Sequence, residues 1–448
     1  MPTRARVALG LLGLALLIPT LVGTQCGGSE EDEDEVAVTA LVSPGCAELE
    51  YDGDGDPDFL IASELTLAGP SRRSSLQIEE AIRYELERRQ WRAGEHRVAF
   101  QPCDDGKGGT WDVGACRANA RAFADNEALL GVVGTYYSDC AKVAVPILNT
   151  APGGPIPIVS PLNVDVCLTE ASPACDRTEP DKYYPSGARN YARLAPNEIY
   201  QAAALARFAR TLGLSRVFVL SDREAYGVGI ARHFRNAARR LGLQIVGSAS
   251  WDPKASSYAA LFRDVARSGA DAVFLGGIAD QGGARLIREK VAVLGSNEGK
   301  VKLIAPDGFA EQSLLDDAAG AARGLYVAAP GVARDHCGRP GRQFARRFGA
   351  ERLGGAAVDP YAVHGAEAIR VLLDAVAASD GTRRDVLAKL FRTKVSSGLL
   401  GSYEVSENGD PVQARGPVVA FTVYRAGDRF VPRATVSPAP DLVAAARG

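Results

Sequence analysis

The sequence predicts an α/β protein built as two doubly wound parallel-sheet lobes, on three observations. Short, near-continuous apolar runs alternate with stretches of helical periodicity. The alternation runs twice, before and after about residue 195. The chain has 448 residues, more than one ordinary core organises. Apolar strands separated by helices fit parallel sheets covered on both faces.

In chain order, the first 26 residues read as a targeting segment. Arg4 and Arg6 make a positive start, Val7 to Val22 form an apolar run, and small residues and Cys26 follow. "CGGSEEDEDE" then opens an acidic, self-repelling flexible tether assigned to 27–57. The start resembles a bacterial lipoprotein signal with Cys26 lipidated. It departs from that pattern at Gly23 and Gln25, which stand where Leu and a small residue are expected. An ordinary cleaved secretion signal is the other reading. Both place the mature protein outside the cytoplasm.

The expected strands are 59–63, 97–101, 129–134, 156–160, 216–222, 243–250, 271–277, 302–306 and 324–330. The first helix starts at Ser74 or Ser75, with Ile78, Ile82 and Leu86 on one stripe. Further helices are expected near 115–126, 139–149, 197–212, 226–241, 257–269 and 280–294. Lobe 1 is assigned 58–193 plus 328–415, and lobe 2 is assigned 194–327 plus 416–432. The stretch 161–193 reads as a surface loop, and 433–448 as a loosely attached C-terminal tail.

Composition narrows the function. Charged residues make up 23% and the net charge is -3, with acids and bases interspersed, so no basic stripe marks a nucleic-acid partner. No GxGxxG, GxxxxGK[ST] or GxSxG occurs, which argues against a nucleotide fold, a cofactor and an enzyme with a nucleophile elbow. "YDGDGDPDFL" spaces Asp52, Asp54, Asp56 and Asp58 like a calcium loop, but Ser63 stands where a bidentate Glu belongs. We read it as a solvated acidic turn. Four scattered histidines and the lack of CxxC argue against a zinc site. The eight cysteines suit an oxidising compartment. Cys103–Cys116 and Cys167–Cys175 are the expected local staples. The pairing of Cys46, Cys140 and Cys337 stays open.

Polar groups gather at strand ends, where ligands sit in such sheets. "KLIAPDGFAE" puts Asp307 just beyond a buried strand, and a carboxylate there is costly unless a cation meets it. "GTYYSDC" sets Tyr136, Tyr137, Ser138 and Asp139 at a helix start, where free N–H groups favour an anion. "SPLNVDVCLT" carries Leu162, Asn163, Val164 and Asp165. "SDREAYGVG" places Tyr226 before a helix, and Ile278 follows "FLGG".

In order and spacing these segments, with "CDDG", "PIVSP" and "GSYEVSENGD", resemble the type I periplasmic binding proteins, specifically the branched-chain amino acid receptor group of ABC importers. The resemblance covers about residues 58–432. It implies two lobes joined by three crossovers, closing on a small amino-acid-like ligand that is passed to a membrane permease and ATPase. By the same likeness, Ser138 and neighbouring N–H groups take the ligand carboxylate. Backbone groups near Leu162 and Val164 take the ammonium with Tyr226 and Asp307. Asn163 belongs to the same wall, and Tyr136, Tyr137 and Ile278 complete the pocket. Val164 replaces the usual Thr, Ile278 an aromatic residue, and Asp139 or Asp165 facing inward would repel an anion. A sensor of amides, urea or aromatic acids is the alternative function.

Overall fold

The computed structural model describes residues 37–330, 339–412 and 420–448. Two sheets organise it. The first runs, in spatial order, Arg92–Ala93, His96–Asp104, Phe59–Leu65, Leu129–Gly134, Ile158–Ser160, Tyr191–Arg193. All neighbours in it are parallel except the short hairpin strand Arg92–Ala93. The second runs Gln244–Ser250, Arg216–Ser221, Ala272–Gly276, Lys302–Pro306, Tyr326–Pro330, Phe421–Ala426, Phe430–Val436. Its first five strands are parallel and its last two antiparallel.

The central strands are apolar because both faces are covered, while the edge strands Gln244–Ser250 and Phe430–Val436 are largely exposed or half-buried. Leu129–Gly134 and Ala272–Gly276 are buried at every position. Helices need only one such face. In Arg72–Arg88, Ile78, Ile82 and Leu86 are fully buried against the lobe 1 core. Its main helical neighbour is Pro360–Ala377, which begins with Asp359 capping the Tyr361 N–H at 2.8 Å and Pro360 at the first helical position. The chain crosses between the two sheet systems three times: after Arg193, between Pro330 and Arg339, and between Val412 and Phe421.

Four expectations are revised. Cys103 pairs with Cys46 and Cys116 with Cys140, so the expected Cys103–Cys116 staple is not formed; Cys167–Cys175 is. Cys116 lies on the helix Val113–Asp125, which packs beside Ser138–Asn149 carrying Cys140, and that neighbourhood is tertiary. Residues 37–57 are not a free tether: Leu41 is buried, and bridges at Cys46 and Glu50 lay the segment along the strand His96–Asp104. Tyr326–Pro330 completes the second sheet, although 328–330 was assigned to lobe 1. The tail ends in a helix, Pro440–Arg447, which buries Leu442, Val443 and Ala446 against Glu198–Thr211 and Ala225–Arg240. Cys26 and Cys337 lie outside the described residues.

Candidate functional site

The strand Lys302–Pro306 ends in a single tight turn, Asp307–Phe309. Gly308 permits it: a Cβ there would stand 2.6 Å from the Gly277 carbonyl oxygen, a contact no side chain tolerates. The turn leaves Asp307 only 7% exposed. Its Oδ1 accepts from Gln201 Nε2 at 2.9 Å and from the Tyr226 hydroxyl at 2.7 Å. Its Oδ2 accepts from the Tyr361 hydroxyl at 2.7 Å. Gln201 and Tyr226 belong to lobe 2 helices and Tyr361 to the first turn of a lobe 1 helix. These donors are neutral, and among the described residues no cation pairs with Asp307.

Asp307 borders a cavity of about 50 Å³ between the lobes. Lobe 1 contributes Tyr136, Tyr137, Ser138, Asp139, Leu162, Asn163, Val164 and Tyr361. Lobe 2 contributes Glu224, Tyr226, Ile278, Asp307, Gly308 and Glu311. Among the described residues, four carboxyl side chains line it, and no Lys, Arg or His does.

Burial governs these acids. Glu311 accepts from the Tyr136 hydroxyl at 2.5 Å and sits 2.9 Å from the Ser74 hydroxyl, which is also 2.6 Å from Asp359. One hydroxyl proton cannot serve two carboxylates, so one of the two acids carries a proton. Desolvation and the neighbouring Asp359 push Glu311 up to about 8. Asp280, holding the Tyr137 hydroxyl at 2.8 Å, is raised by burial to about 7. Asp139 is raised by burial to about 7 despite Lys142 nearby. Glu224 is raised by burial alone. Hydroxyls of lobe 1 thus meet carboxyls of lobe 2 in three places, bridging the cleft.

All nine residues expected at the site lie on the cavity wall, though several turn their polar groups elsewhere. Asn163 donates to the Thr135 and Tyr136 carbonyls at 3.0 Å each, pinning the loop above the strand. The Leu162 N–H points to Ser160 Oγ at 3.3 Å, and the Val164 carbonyl accepts the Glu198 N–H at 2.7 Å. Ser138 Oγ accepts the Asp165 N–H at 3.3 Å. Of the two acids beside Ser138, Asp165 faces away, to Lys142 at 2.5 Å, while Asp139 faces the cavity. Glu311 and Tyr361 were not anticipated. Only a helix start at "VDPY" signalled Tyr361, with Asp as cap and Pro behind it. The two groupings of possible metal ligands among the described residues, Glu64–Asp105–Cys116–Cys140 and Cys167–Cys175–Glu179, contain cysteines already tied in disulfides.

A two-lobed α/β protein with a strand-end cavity at the lobe interface is the architecture of a receptor that closes on a solute. The family model for periplasmic binding proteins matches residues 65–426, and the chain belongs to that family. Such proteins work outside the cytoplasm and bind solutes rather than transform them. Among the described residues no helix is long and apolar enough to cross a membrane. Solved structures share the fold. A leucine binding protein from Thermotoga maritima is 20% identical, with 85% of this chain and 99% of that one covered and a TM-score of 0.71. An R. palustris solute binding protein in complex with 4-hydroxybenzoate is 15% identical, covering 86% and 98%, with a TM-score of 0.69. A Desulfitobacterium hafniense ABC transporter substrate-binding protein in complex with Leu is 21% identical, covering 84% and 99%, with a TM-score of 0.66. No curated protein matches the chain.

Proposed function

We propose that the protein is an extracytoplasmic receptor that captures a small solute bearing an ammonium group, an amino acid or a similar amine, and delivers it to an ABC import permease. Asp307 carries this reading. Its carboxylate is buried at the cleft, fixed by three neutral donors and matched by no cation among the described residues, so a ligand ammonium completes a charge pair left half made there. Tyr226 donates its hydroxyl to Asp307 at 2.7 Å, and Ser138 lines the same cavity. Tyr361 holds Asp307 from the opposite lobe, so closure assembles the seat. Anionic aromatic acids fit less well, because four carboxyls line the cavity. Lipidation of Cys26 would hold the receptor at the membrane near its permease.

Thermal-shift screening against amino acids, simple amines, urea and benzoates tests the reading. Amine-bearing compounds should raise the melting temperature with concentration. A response confined to benzoates or urea would refute it.

A further inference from the structure

The wall of the cleft holds more carboxyl groups than an amino acid can use. Asp307 and Glu311 follow one strand end. Asp139, in the first turn of its helix, and Glu224, at the cap of another, come from two helices that touch. Glu224 is among the groups whose charge Asp139 feels. Among the described residues Asp139 has no hydrogen-bond or ion-pair partner, since Lys142 is committed to Asp165 at 2.5 Å. The carboxylate seat implied by the family likeness, at Ser138, is therefore the place where an acid with no partner already stands.

We propose that the ligand is a short aliphatic diamine without a carboxylate, one ammonium seated by Asp307 and Glu311 and the other by Asp139 and Glu224. This rests on the amine-receptor reading above and narrows it. Tyr136, Tyr137, Tyr226 and Tyr361 border the same space, and aromatic rings attract cations. At about 50 Å³ the cavity suits a short ligand, on the order of three to five non-hydrogen atoms at one water-sized group per ~10–15 Å³. A second ammonium also relieves the repulsion between carboxyls that burial now offsets with protons, so binding releases protons.

The full chain would be titrated calorimetrically with 1,3-diaminopropane, 1-aminopropane, 4-aminobutanoate and leucine, in two buffers of different ionisation enthalpy. The diamine should bind at least about tenfold more tightly than the monoamine and about thirty-fold or more above the two zwitterions, the range expected when one charge of a close pair is lost or reversed. Its heat should shift with the buffer, reporting released protons. Asp139→Asn should reduce the preference for diamine over monoamine by about tenfold. If leucine or 4-aminobutanoate matches the diamine, or Asp139→Asn leaves the preference intact, the proposal is overturned while the amine-receptor reading stands. If none of the four binds and the broader screen finds no amine, both fall.

Discussion

The Tyr361 hydroxyl donates to Asp307 Oδ2 at 2.7 Å, joining the first turn of a lobe 1 helix to a strand end of lobe 2. The contact ties closure to the proposed ammonium seat. Tyr361→Phe keeps the ring but removes the donor. Losing one hydrogen bond to a charged group should weaken ligand binding by about 1.5–3 kcal/mol, roughly ten- to a hundred-fold. Small-angle scattering of the ligand-free variant should show a larger radius of gyration than the parent. Unchanged affinity and unchanged dimensions would mean that the bridge plays no part in closure.

Glu311 and Asp280 give the cleft a pH dependence. Both are acids whose folded values are raised by burial, from 4.5 to about 8 and from 3.8 to about 7 respectively. The folded protein holds these protons after the unfolded chain has released them, so stability falls as pH rises. The loss begins near the unfolded values and is complete once pH passes about 8 for Glu311. Melting temperature in the absence of ligand should therefore decline between pH 5 and 8, and Glu311→Gln should flatten part of that slope. A parent whose melting temperature rises steadily over this window would contradict the assignment.

The Cys116–Cys140 link closes a loop of 24 residues between two packed helices. Replacing both cysteines by Ala should lower stability by about 3 kcal/mol on loop-entropy grounds. Peptide mapping without reduction should recover Cys46 with Cys103 and Cys116 with Cys140. Recovery of a Cys103–Cys116 peptide would overturn the pairing.

For the membrane attachment, Cys26→Ser expressed in a bacterium should move the protein from the membrane fraction to the medium or periplasm. Unchanged membrane association would rule out a lipid on Cys26.

Much of the fold was legible because buried parallel strands write themselves as apolar runs. The runs at 129–134 and 302–306 match the observed strands residue for residue. The cavity wall was legible where polar residues follow those runs, as at Ser138, Tyr226 and Asp307. What escaped is tertiary. Glu311 lies only four residues beyond Asp307, but local pattern does not reveal that it faces Tyr136 and Ser74 from the other lobe. Tyr361 is distant in sequence from every other site residue and reaches the cleft only because its helix packs beside Arg72–Arg88. Cys46 pairs across 57 residues, a distance at which spacing carries no information. The C-terminal helix was obscured by a Pro- and Ala-rich composition, although Leu442, Val443 and Ala446 do share one buried face.

The proposed ammonium seat at Asp307 is most directly tested by calorimetric titration of Asp307→Asn against the parent, using the tightest amine from the thermal screen. The amide keeps the shape and one acceptor oxygen, which can still serve Gln201 and Tyr226, while its NH2 can only donate to the Tyr361 hydroxyl oxygen. A desolvated charge left without its partner costs about 2–5 kcal/mol, a loss of roughly thirty-fold to several-thousand-fold in affinity. That loss is the predicted result. Binding within about two-fold of the parent, about 0.4 kcal/mol, would show that no ligand ammonium rests on Asp307.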